Sequence, residues 1–258
     1  MITHNRLGVG VLLVFGLLAS WSSGLRAQEP FGTLSTVKAD VHYANGIPEA
    51  EAKKVSDYLQ NEFESIGTQL GLGLEKKVDV RIYDSVGRFL AETGLKKPWR
   101  GAYYARRILH VQPVQALTQR KIFESTLSYE CARVMLDPVG EKGCPLWLRE
   151  SYAVYHAGAF RSMTAPLGAK LSSFSDLNQD INHYPDPPQR DDVQYMLGQT
   201  MDYFVQKYGE KKAMAVFKDF DGMTSVEAVF RRVFGEDFAT VEKAWAKYLE
   251  QHTVPFKK

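Results

Sequence analysis

The chain has 258 residues, 45% of them hydrophobic and 24% charged, which is an ordinary globular composition for one large or two small domains. Its formal net charge is +2 and its basic residues are scattered, apart from short pairs such as Lys257-Lys258, which excludes a nucleic-acid footprint. Glycine loops of the kind that cradle phosphates are also missing from the sequence.

Arg6 precedes an apolar stretch of about fourteen residues, Leu7 to Ser20. Small and turn-prone residues follow, then Leu25-Arg26-Ala27 before Gln28. The pattern predicts a secretory signal peptide over 1–27, cleaved after Ala27. The stretch is short for a bilayer span, so no stable membrane span is expected after cleavage; an uncleaved anchor is the competing reading. The expected location is a bacterial periplasm or the secreted fraction. Export permits a disulfide, and Cys131 and Cys144 are read either as one bridge or as two separate thiols.

Residues 28–33 read as a linker. Thr36 to Tyr43 alternates, with Val37, Ala39, Val41 and Tyr43 on one face, and predicts a strand. Asn45-Gly46 turns the chain and Pro48 opens a helix. Ala52, Val55, Leu59, Phe63, Ile66 and Leu70 form its apolar stripe, and Gly71 and Gly73 end it. Lys77 to Tyr83 and Arg107 to Val111 predict two more strands.

From Gln119 the pattern is helical. One helix is expected over Ile122 to Leu136, stopped by Asp137-Pro138-Val139-Gly140, and a second from Pro145 to His156, closed by Gly158. Residues 161–190 are polar and proline-rich and read as a long irregular connection. Helices follow over Val193 to Tyr208, Lys211 to Phe220, a segment capped by Thr224 with Glu227, and Thr240 to Gln251. Trp147, Trp245 and the tyrosines read as core and cleft lining. Lys211-Lys212 and Arg231-Arg232 read as solvated faces.

Two glutamates stand out. Glu130 lies inside the helical run Ser128-Tyr129-Glu130-Cys131-Ala132-Arg133. Glu150 lies in Pro145-Leu146-Trp147-Leu148-Arg149-Glu150-Ser151-Tyr152-Ala153-Val154-Tyr155. A helix with a central glutamate, a turn, then Pro-x-Trp-Leu-x-Glu-x-x-Ala-x-Tyr resembles the gluzincin metallopeptidases of the peptidase MA-like group. The resemblance extends to the strand–helix–strand start from Thr36 and to the run from Asp192 to Met214.

The resemblance implies an α+β, zincin-like fold over 34–252, with a tail at 253–258. A small strand-bearing N-terminal lobe and a helical C-terminal lobe would enclose a cleft. In that family the first helix carries His-Glu-x-x-His, whose histidines bind zinc while the glutamate activates metal-bound water. Glu130 falls on the general-base position and Glu150 on the third-ligand position. The two histidine positions hold Tyr129 and Arg133. Tyrosine ligates poorly at neutral pH, and arginine stays protonated and does not ligate. No metal and no cofactor are therefore expected, and the enzyme question leans to no.

Tyr129 and Arg133 are four apart and share a helical face. Arg133 is expected to point at Glu150 and supply the cation that zinc would have supplied, with Tyr129 adding a hydroxyl. The function that remains is binding of a peptide or an envelope protein. Two alternatives stand beside it. One is an active metallopeptidase with non-standard ligands, zinc being held by the carboxylates and a histidine such as His183. The other is an unrelated exported α+β structural protein with both glutamates on its surface.

Overall fold

The computed structural model of the protein describes residues 31–166, 173–182 and 189–253. The stretch read as a signal peptide, His183 and residues 254–258 lie outside the described residues. Among the described residues no helix is long and apolar enough to cross a membrane.

Among the described residues the strands lie between residues 31 and 111 and form one mixed five-stranded sheet. They are β1 (Phe31–Ser35), β2 (Ala39–Ala44), β3 (Val78–Ile82), β4 (Ala102–Ala105) and β5 (Ile108–Val111), in the order β1-β2-β3-β5-β4. β1 and β2 form an antiparallel hairpin, β2, β3 and β5 run parallel, and β4 returns antiparallel on β5 as an edge strand.

Alternation dictates the two faces of the sheet. Val41, Val80 and Leu109 point into the core against helix α1 (Glu49–Leu70). That helix buries Ala52, Val55, Leu59, Phe63, Ile66 and Leu70, the stripe read from the sequence. It ends at Gly71, whose positive φ of 57° closes the last turn. On the other face the cross-strand register sets Thr33, His42, Arg81, His110 and Tyr103 in one polar row. Helix α2 (Val86–Thr93) sits beside β5, and the Tyr83 hydroxyl pairs with His110 Nδ1 at 2.7 Å.

After α3 (Val114–Gln119) the described chain is helical: α4 (Phe123–Glu141), α5 (Leu146–Ala157), α6 (Phe174–Asn182), α7 (Gln189–Tyr208), α8 (Glu210–Ala215), α9 (Val226–Phe234) and α10 (Phe238–His252). Residues after α4 are mostly held by an aromatic core. Trp147 stacks on Phe174 with centroids 4.0 Å apart, and Phe174 meets Trp245 at 4.4 Å. Both tryptophans are buried. The molecule is thus a mixed α and β protein, mostly helical.

Several boundaries differ from the sequence reading. Residues 31–33 of the expected linker belong to β1. The strand expected from Thr36 starts at Ala39, because Thr36 and its neighbours form the hairpin turn: Thr36 N donates to Ala39 O, and Val37 is 78% exposed. The helix expected to stop at Leu136 runs past Pro138 to Glu141. Burial of Val139 outweighs the lost backbone donor there. The connection expected to be irregular contains α6, whose Phe174 is buried at the centre of the aromatic core.

The helix expected over Lys211 to Phe220 is α8 followed by a 3₁₀ turn, Val216–Asp219. The next helix is capped by Ser225, which accepts from Ala228 N. Thr224 instead donates to Asp221, so the expected Thr224–Glu227 capping box does not form. Cys131 and Cys144 are both buried free thiols, and burial pushes both pKa values up.

Candidate functional site

Helices α4 and α5 are joined by the short connection Lys142–Pro145 and pack antiparallel: Gly140 approaches Arg149 beside the turn, while Ser125 and Thr126 share a cavity wall with Ala157 at the far end. This pairing brings the four singled-out residues together. Arg133 Nε donates to Glu150 Oε1 at 3.0 Å, and Arg133 Nη1 donates to Glu130 Oε2 at 3.0 Å. Tyr129 Oη donates to the other oxygen, Glu150 Oε2. The Arg133 guanidinium also lies 5.8 Å from the Tyr129 ring centroid.

The sequence reading pointed Arg133 at Glu150, and the guanidinium serves Glu130 as well. Both glutamates are buried, not on the surface. Their side chains are 2% and 6% exposed, against 24% for Arg133. Such carboxylates require partners, since an unpaired buried charge costs several kcal/mol or more.

A fifth group was not foreseen. Tyr104 N, on edge strand β4, donates to Glu130 Oε2 at 3.0 Å. A short, tyrosine-bearing segment before the third expected strand was the available signal, but nothing in it pointed at Glu130. Burial pushes the Glu130 carboxyl above its ordinary range, beyond what Arg133, Arg100 and the Tyr104 amide offset. For Arg133, burial pulls the pKa down but the facing Glu130 and Glu150 carboxylates raise it further, so the guanidinium stays charged.

The donor set does not fit a zinc. Two carboxylates face the site, but a permanent cation stands between them and takes an oxygen of each. Histidines of the described residues serve elsewhere. His156 Nε2 pairs with Glu62 Oε1 at 2.6 Å across α5 and α1, His110 pairs with Tyr83, and His42 lies near Asp79. Among the described residues, no three His, Cys, Asp or Glu side chains gather as a metal site.

Glu130 also lines a cavity of about 220 Å³ beside the cluster, together with Trp99, Arg100, Arg120, Tyr129 and Met163. Arg100 and Arg120 were not singled out in the sequence, because neither belongs to a recognisable motif. No protein-family model matches the chain, and no curated protein matches it.

Proposed function

We propose that this chain is an exported, catalytically silent relative of the gluzincin metallopeptidases that binds a peptide or an envelope protein in a cleft beside β4, α4 and α5. One observation carries the reading. The Arg133 guanidinium bridges Glu130 and Glu150, so a fixed cation stands where the family resemblance would put a metal. General-base catalysis by Glu130 needs a polarised water to deprotonate. Glu130 instead accepts from Arg133 and from a backbone amide.

Binding is supported by the cavity and by its place next to an edge strand. Sheet edges accept peptides through main-chain hydrogen bonds. Here β4 is only Ala102–Ala105, and Glu130 already takes the Tyr104 amide, so recognition rests more on the cavity than on an extended edge. The zincin-like arrangement of two lobes about a cleft, and the periplasmic or secreted location, belong to this same proposal.

The test is a cleavage assay on unfolded protein and mixed peptides, with and without added zinc, beside a peptide-binding measurement. Peptide binding without cleavage is expected. Chelator-sensitive cleavage that disappears in Glu130→Gln would overturn the silent reading.

A further inference from the structure

The cavity beside the cluster is built, not incidental. Its rim from Trp99 to Gly101, with Pro98 just before it, is fixed to the body of the protein. Gln112 Nε2 donates to Pro98 O at 3.0 Å and to Arg100 O at 2.7 Å, and Gln112 N donates to Gly101 O at 2.9 Å. Arg120 donates to Pro98 O at 3.2 Å and Trp99 O at 2.9 Å. A rim held this way is pre-organised, which lowers the entropy lost when a small ligand binds.

Its chemistry is two-signed. Arg100 and Arg120 line it as cations. The hydrogen bonds of Arg120 go to neutral acceptors, two backbone carbonyls and the Gln112 side chain, so its charge is not neutralised by them. Glu130 lines the same cavity. Both of its hydrogen bonds, from Arg133 and Tyr104, end on Oε2. Oε1 has no hydrogen-bond partner among the described residues, although the side chain is 2% exposed. A carboxylate oxygen on a cavity wall that is not committed to these bonds can accept from a ligand donor.

The rest of the lining sets aliphatic Ile122, Val154 and Met163 beside polar Ser125, Thr126 and Gln194. The volume of about 220 Å³ lies below the range of about 300–1,000 Å³ that holds drug-sized ligands, so the occupant is small. A simple anion would meet the Glu130 carboxylate, and a simple amine would meet two arginines. A molecule carrying both charges satisfies both.

We propose that this cavity binds a small zwitterion of the α-amino-acid class. Its ammonium donates to Glu130 Oε1, its carboxylate is held by Arg100 and Arg120, and an aliphatic side chain rests on Ile122, Val154 and Met163. The proposal deepens the peptide-binding reading and rests on it for the use of this cleft. The same paired charges occur in a free amino acid and, farther apart, in a dipeptide.

The experiment is calorimetric titration of the purified protein with L-leucine, leucyl-leucine, N-acetyl-leucine and leucinamide, beside a peptide mixture capped at both ends. Leucine or leucyl-leucine is expected to bind, and blocking either charge to weaken binding at least about tenfold, the effect of losing one charged hydrogen bond in a buried site. The tighter of the two zwitterions identifies the source. Glu130→Gln should abolish the discrimination against N-acetyl-leucine, and the comparison among wild-type ligands needs no variant to fold. Equal binding of charged and blocked compounds would overturn the proposal. Binding of capped peptides alone would overturn it and leave the peptide-binding reading standing. Failure of every probe would remove both.

Discussion

At the scale of single residues, Arg133 decides the state of the site. Among the described residues it is the one cation hydrogen-bonded to both Glu130 and Glu150, so Arg133→Ala takes the paired charge from two carboxylates at once. Breaking a buried pair costs about 3–5 kcal/mol. The guanidinium is 24% exposed, which favours the lower end, about 3 kcal/mol in denaturant melts at neutral pH. A loss under about 1 kcal/mol would place the pair among weak surface bridges. Because Arg133 serves two partners, Arg133→Met with Glu150→Leu alone would orphan Glu130. Recovery of most of the loss is expected only when Glu130→Gln is added.

Glu130 itself behaves differently. Its carboxyl is raised by burial, so the folded protein holds this proton more tightly than the unfolded chain. Its contribution to stability therefore falls as pH rises from the ordinary carboxyl range through the raised folded value, and stays unfavourable above it. Glu130→Gln keeps an acceptor for the Tyr104 amide and leaves Arg133 paired with Glu150. The variant should match or exceed wild-type stability at neutral pH, and any gain should disappear below about pH 4, where the wild-type carboxyl is protonated in both states. A variant clearly less stable at neutral pH and equal at acid pH would mean that the ion pair with Arg133 outweighs desolvation. Glu62 has the opposite sign. Burial would raise its carboxyl, but His156, hydrogen-bonded to it, and the nearby Ser128 hydroxyl bring it below the ordinary range, so its contribution is complete above that range and is lost as pH falls.

At the scale of elements, long amphipathic helices were legible and short pieces were not. The α1 stripe and the α7 pattern each carry many apolar residues at helical spacing, so their signal survives local noise. β4 was missed for a physical reason. Its hairpin tip puts Arg106 and Arg107 at positive φ, 52° and 64°, where Asn-Gly is the usual signal. α6 was hidden because it is short and only Phe174, Leu177 and Ile181 mark its buried side. The close pairing of α7 with the segment after α5 depends on a single missing side chain. A Cβ on Gly198 would fall 2.2 Å from Phe160 Cγ, a buried ring. Alanine gains about 1 kcal/mol of helix propensity there. Overpacking against a buried ring costs about 1–3 kcal/mol. Gly198→Ala is therefore expected to lower stability by about 1 kcal/mol, and a rise in melting temperature would show that the ring moves aside freely.

At the scale of the molecule, the sequence carried a strand-bearing N-terminal part before a helical C-terminal part, and the meeting of Tyr129, Glu130, Arg133 and Glu150. It did not carry the Tyr104 amide on Glu130 or the two arginines of the cavity rim, because those depend on where an edge strand and a loop come to rest. Register and loop placement are tertiary outcomes with little local signature. The spatial meeting of the four site residues is the feature on which the account of a replaced metal centre depends. Tyr129 and Arg133 lie one helical turn apart and both reach Glu150. Histidines at those two positions should therefore converge with Glu150 as a three-ligand site. The direct measurement is the zinc content of the folded Tyr129→His, Arg133→His variant after equilibration with zinc and gel filtration. The account predicts about one zinc per chain, lost again when Glu150→Ala is added. A folded double variant that retains no zinc would contradict it.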